Sequence, residues 1–125
     1  MISSEKPNIL FLEDEKLFQK IVCKVFPKYN FILTSSVKEA TKVLEEHHEK
    51  IRLIISDNML EVKKDEGVEF LKYCEKRYPS IRRILVTGFT TKKLEQEQSF
   101  IIMGKPVAYE NFINTIKQLV ENEIY

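Results

Sequence analysis

The sequence predicts an α/β domain in which one parallel sheet lies between layers of helix. Short apolar runs alternate with amphipathic stretches along the 125 residues, the order that produces parallel strands joined by crossover helices. Runs such as Leu53-Ile54-Ile55 are apolar without a break, as strands covered on both faces are. Four of the runs also end in chemically pointed groups. Ile9-Leu10-Phe11-Leu12 leads into Glu13-Asp14-Glu15, Leu53-Ile54-Ile55-Ser56 into Asp57, Ile84-Leu85-Val86 into Thr87-Gly88, and Phe100-Ile101-Ile102-Met103-Gly104 into Lys105-Pro106. In a parallel sheet those ends share one edge, where open α/β sheets place their ligands.

The elements follow in order. After the first strand, Lys16 to Phe26 carries Leu17, Phe18, Ile21, Val22 and Val25 on one helical stripe, and Pro27 stops it. Tyr29 to Thr34 has the β-favouring residues of a second strand. Ser36 with Glu39 three positions on is a capping-box signature, opening a helix with Val37, Ala40, Val43, Leu44 and His47 along one side. Ile51 to Ser56 is the third strand. Gly67 to Arg77 is a helix with Phe70, Leu71, Cys74 and Tyr78 at helical spacing, ended by Pro79. Arg83 to Val86 and Phe100 to Met103 are the last two strands, and Tyr109 to Glu123 is a closing helix. Between Thr87 and Phe100, Leu94 is the one strong aliphatic residue, too few apolar positions for a full amphipathic helix. A short helix or loop is expected there. The reading is of one domain over 1–125, with its core about 7–123 and no linker or repeat.

Composition narrows the function classes. A net charge of +1 leaves no electrostatic footprint for nucleic acid or an anionic membrane. No segment has the length and apolarity to cross a bilayer. Pro7-Asn8 precede an apolar run of only four residues, so no secretory signal is expected. Cys23 and Cys74 read as core-facing, reduced thiols of a cytoplasmic protein rather than disulfide partners. His47 and His48 are adjacent on a helix end, so their side chains point apart and do not chelate together.

The strand-end residues suit one chemistry. Glu13, Asp14 and Asp57 crowded together need a cation, and oxygen-only donors favour Mg²⁺. Asp57 stands alone at its strand end and can act as a nucleophile toward phosphorus. Lys105 can pair with a phosphoryl oxygen, and Thr87 can offer it a hydroxyl hydrogen bond. Singly, each has an ordinary structural explanation as a turn, a cap or a solvated helix start. In this order, at successive strand ends, they make a phosphoryl site.

Leu12-Glu13-Asp14-Glu15, Ile54-Ile55-Ser56-Asp57, Leu85-Val86-Thr87-Gly88 and Gly104-Lys105-Pro106 together resemble the receiver domain of two-component response regulators, across essentially the whole chain. The resemblance implies a flavodoxin-like three-layer sandwich with strand order 2-1-3-4-5, an order the general description of this fold already attributes to a receiver. It implies that Asp57 accepts a phosphoryl group from a sensor histidine kinase or a phosphotransfer protein. Asp14 would bind Mg²⁺ directly, Glu13 mainly through water, and Asp57 and the backbone carbonyl of Met59 would complete the protein ligands. Thr87 and Lys105 would contact the phosphoryl group, and the Lys105-Pro106 bond would be cis. The expected product is a cytoplasmic, single-domain signalling module, monomer or weak dimer, acting on an unknown downstream protein and catalysing only its own phosphotransfer and dephosphorylation.

Departures from the family pattern concern the readout. The loop after Asp57 lacks the usual Pro and is extended before Gly67, and Ile102 stands where an aromatic switch residue is common. The fourth helix is expected to be shortened or irregular by about one turn, roughly four residues. Signalling is therefore expected through a different surface or through ordering of the Phe89 to Ser99 segment. Met59 and Phe89 flank the acceptor and either slow an attacking water or simply cover backbone. Two other readings compete. One is a pseudo-receiver acting as a phosphorylation-independent interaction or dimerisation module. The other is an aspartyl-phosphate hydrolase, disfavoured because Asp57-Asn58-Met59 has no second acid two residues on.

Overall fold

A computed structural model describes residues 2–16, 20, 27–58, 65–88, 94, 96, 99–105 and 109–121. Five strands form one sheet: β1 (Asn8–Leu12), β2 (Asn30–Thr34), β3 (Ile51–Asp57), β4 (Arg82–Thr87) and β5 (Ile101–Gly104). Every pairing is parallel and the order is β2-β1-β3-β4-β5, as expected. Three α-helices accompany it among the described residues: α1 (Val37–His47), α2 (Glu66–Arg77) and α3 (Tyr109–Glu121).

The apolar strands supply two cores because successive residues of a strand point to opposite faces. Leu10, Leu12, Ile54 and Leu85 face one side, where α1 contributes Ala40, Val43 and Leu44 and α2 contributes Phe70, Leu71 and Cys74. Ile9, Phe11, Leu53, Ile55, Ile84 and Val86 face the other, against Phe112, Ile116 and Val120 of α3. Both faces are therefore covered, and this is why the strand sequences are apolar throughout.

Local signals set the helix ends. Ser36 Oγ accepts the Glu39 N–H at 3.1 Å and caps α1. Glu39 Oε1 reaches back to the Ser35 N–H at 2.7 Å, one residue before the position a standard capping box uses. His47 closes α1 and the His48 ring packs on Tyr78, with centroids 5.0 Å apart. The far end of α3 is held from the sheet. Arg52 and Arg82 donate to the carbonyls of Val120 and Leu119, at 2.9 and 3.1 Å. Cations at the C-terminal end of a helix also oppose its dipole favourably.

Boundaries differ slightly from expectation. Asp57 and Thr87 belong to their strands as last residues, and β5 begins at Ile101 rather than Phe100, which is buried just before the edge strand. Lys16 and Lys20 are helical, while the rest of the helix expected over 16–26, Cys23, and most of the segment expected to be irregular between 89 and 99 lie outside the described residues. Leu94 is helical and packs half-buried against the α1–α2 core.

Two measurements check this packing. Ile54 is fully buried in the central strand, so Ile54→Ala is expected to cost about 2–5 kcal/mol in urea denaturation. Burial pushes the Cys74 thiol up to about 12, against a smaller lowering by Arg83. In a Cys23→Ser background, Cys74 should resist a thiol reagent at about pH 8 until the chain is unfolded.

Candidate functional site

Strand order makes the site. Chain connections leave β1 toward β2 on one side and reach β3 on the other, so the crevice between the β1 and β3 ends is the topological switch point. Glu13 and Asp14 follow β1, and Asp57 ends β3. Carboxylate oxygens of the three lie within 4.8 Å of one another. Glu13 is 1% exposed and Asp57 5%, while Asp14 is half-buried.

Lys105 enters from the end of β5. Its Nζ lies 3.0 Å from Asp57 Oδ1 and 3.7 Å from Glu13 Oε1. The backbone fixes its reach: the Lys105 N–H donates to the Thr87 carbonyl at 2.8 Å, extending the β4–β5 ladder by one bond. Thr87 itself is buried as the last residue of β4. Glu13 is placed in the same way, its N–H donating to the Thr34 carbonyl at 2.9 Å, and its Oε2 accepts the Glu15 N–H at 3.1 Å. Met59, expected to offer a carbonyl, lies outside the described residues, as do Phe89 and Pro106.

Burial and charge act together here. Burial, then the neighbouring Asp57 charge, push the Glu13 carboxyl up to about 7, against smaller lowering by the Glu15 N–H and Lys105. Burial also opposes the Lys105 ammonium. Its hydrogen bond to Asp57 and the charges of Glu13 and Asp57 nevertheless hold it above the usual lysine value. Among the described residues, the Lys105 ammonium meets two of the three clustered acids, Asp57 and Glu13. The donor set, oxygen atoms only, is of the kind that hard divalent cations prefer.

Sequence reasoning missed how the Asp57 end of β3 is seated. Gly67, in the first turn of α2, approaches so closely that a Cβ there would lie 2.1 Å from the Asp57 carbonyl oxygen and 2.7 Å from Asn58 Cα. Gly67 N–H donates to the Asn58 carbonyl at 3.1 Å, and Asn58 N–H to the Val86 carbonyl at 3.0 Å. An Asn directly after a strand end and a Gly opening a helix were the available signals, but only their contact gives them meaning.

The chain has the fold of the response-regulator receiver domains of two-component systems. The signal receiver domain of an HD domain-containing protein from Pseudomonas fluorescens Pf-5 superposes with a TM-score of 0.81 at 22% identity, covering 94% of this chain and 96% of that one. A second similar structure comes from a Saccharomyces cerevisiae co-crystal of a histidine phosphotransfer signaling protein and the receiver domain of its downstream response regulator. Its TM-score is 0.76 at 18% identity, over 97% of this chain and 93% of that one. In sequence, the chain is 27% identical over 126 aligned positions to the hydrogenase transcriptional regulatory protein HoxA of Cupriavidus necator. That match covers 96% of this chain and 25% of HoxA, so the chain spans about a quarter of its relative. No protein-family model matches the chain.

The raised Glu13 carboxyl gives a pH dependence with a definite sign. Between 4.5, its ordinary value, and about 7, folded Glu13 keeps a proton that the unfolded chain has lost. Its contribution to stability therefore falls as pH rises through that window. Without divalent cation, Glu13→Gln should gain on the wild type in unfolding free energy from pH 4.5 to about 7 and level off above. Gly67→Ala, which forces α2 away from Asp57, is expected to cost about 1–3 kcal/mol in the same urea assay.

Proposed function

We propose that this chain is a phosphoacceptor receiver. Asp57 takes a phosphoryl group from the phosphohistidine of a sensor histidine kinase or a phosphotransfer protein, and the modified domain alters its binding to a downstream protein. The observation that carries this reading is the 3.0 Å pairing of Asp57 with Lys105 inside the acidic cluster at the switch point. A carboxylate in that place is buried, fixed by its strand and already faced by the cation a phosphoryl group requires.

In the transfer, an Asp57 carboxylate oxygen attacks phosphorus as the bond from phosphorus to the imidazole nitrogen breaks. The electron pair of that bond leaves with the imidazole, and the product is an acyl phosphate. Glu13, Asp14, Asp57 and the Met59 carbonyl would hold Mg²⁺, which supplies charge neutralisation between the carboxylate and the incoming phosphoryl oxygens. Lys105 turns from Asp57 to a phosphoryl oxygen with little displacement, because its backbone is bonded to Thr87. The Thr87 hydroxyl donates to a second oxygen. The chain catalyses only this transfer and the hydrolysis of its acyl phosphate, in which water attacks phosphorus and the Asp57 carboxylate leaves, with no separate substrate turned over.

The partner class is supported by the similar receiver domain solved together with a histidine phosphotransfer signaling protein. No helix among the described residues is long and apolar enough to cross a membrane, in keeping with a cytoplasmic site of action. Ile101, 41% exposed on edge strand β5, lies four residues before Lys105 and offers a surface where a change at the site reaches a partner.

Intact-mass spectrometry after incubation with Mg²⁺ and a small phosphodonor tests the reading. One base-labile phosphoryl group is expected, absent in Asp57→Ala and after chelation of the metal. A protein that stays unmodified is a constitutive binding module, and one whose Asp57→Ala variant consumes the donor equally well is a phosphatase acting elsewhere; either result ends this proposal.

A further inference from the structure

Asn58 directly follows Asp57 and is 4% exposed. All four of its polar atoms are engaged. Its N–H donates to the Val86 carbonyl at 3.0 Å, and its carbonyl accepts the Gly67 N–H at 3.1 Å. Its Oδ1 accepts the Val68 N–H at 3.2 Å, and its Nδ2 donates to Asp65 Oδ1 at 3.2 Å. One residue thus joins the end of β3 to β4 on one side and to the start of α2 on the other.

The side chain must be an amide for this to work. An amide presents a donor and an acceptor from one planar group. The acceptor satisfies an N–H at the start of α2 that has no partner within its helix, and the donor meets a carboxylate. Aspartate at 58 would keep the first bond but set two carboxylates against each other in place of the second. Asp65 is the residue that turns the chain into α2, with φ 61° and ψ 18°, the left-handed region that Asp tolerates better than most side chains. Asn58 therefore holds the turn that brings Gly67 onto the Asp57 backbone, where no Cβ fits.

We propose that Asn58 is the positioning residue of the acceptor, tying β3 to β4 and α2 so that the Asp57 carboxylate stays against Lys105 and within reach of Glu13 and Asp14. The proposal rests on the reading of Asp57 as the phosphoacceptor. Asn58 touches neither donor nor Lys105 in this role. Its effect passes through the position of Asp57, which a reacting carboxylate tolerates poorly when displaced.

Reversal of the 58–65 hydrogen bond tests it, with phosphorylation from a small phosphodonor at saturating Mg²⁺ as the readout. Asn58→Asp should lower the maximal rate about ten- to a hundredfold, the usual effect of losing an orienting partner, with the half-saturating donor concentration unchanged. Asp65→Asn keeps an acceptor for the Asn58 amide and should leave the rate near the wild type. The double variant Asn58→Asp, Asp65→Asn restores the bond in the opposite direction at the original net charge. It should recover the rate to within about threefold, the coupling expected of directly bonded side chains. Circular dichroism and urea denaturation establish that each variant is folded under assay conditions. A folded Asn58→Asp protein that reacts at the wild-type rate, or a double variant that stays as slow as the single, overturns the positioning role. A wild type that takes up no phosphoryl group overturns the reading of Asp57 first, and this inference with it.

Discussion

Glu13, Asp14 and Asp57 hold carboxylate oxygens within 4.8 Å of one another, two of them from buried positions, and much of the surrounding structure answers to that repulsion. Buried like charge is expensive because water no longer screens it. The molecule meets the cost in two visible ways. Lys105 places its ammonium 3.0 Å from Asp57. Glu13 takes the other route, its carboxyl raised to about 7 by burial first and Asp57 second. Such a cluster exchanges a proton for a cation, as carboxylates that can bind a metal do. An acidic patch built for solubility would spread its charges in water instead.

Holding acids so close requires a rigid frame, and the backbone fixes Glu13, Lys105 and the residue after Asp57. Glu13 is bonded to the end of β2, Lys105 to the end of β4, and the residue after Asp57 to both β4 and α2. The frame depends in turn on two cores that press α1 and α2 on one face and α3 on the other. Gly67 is where packing and site meet, since the absence of its side chain lets a helix start rest on the Asp57 carbonyl.

Much of this was legible in the residue order. The alternation of elements, the strand positions to within a residue or so, and the residues of both cores followed from apolar runs and helical spacing. The acids, Thr87 and Lys105 could be named because each falls at a strand end, and parallel strands bring their ends to one edge. The resemblance to receivers supplied the strand order, which periodicity does not contain. What stayed hidden was of a different kind. Asn58 looked like an ordinary residue after a strand. Its importance comes from Val68, Asp65, Gly67 and Val86, residues brought to it by a helix packing and a strand pairing. Glu39 likewise had the right spacing for a capping box, yet its carboxylate settles on Ser35, a choice made by local backbone path.

The sequence by itself therefore determined which residues are apolar, which are charged, and the local periods that turn them into strands and helices. Those properties are carried by side-chain chemistry and near neighbours along the chain, so they can be read one segment at a time. Only the tertiary structure decided how near the carboxylates stand, how far Glu13 is pushed from its ordinary ionisation, and that Asn58 joins three elements beside Asp57. Distance and burial depend on what residues far apart in the chain do to one another. At this site, they turn three acids at strand ends into a group that must bind a proton, a lysine or a metal.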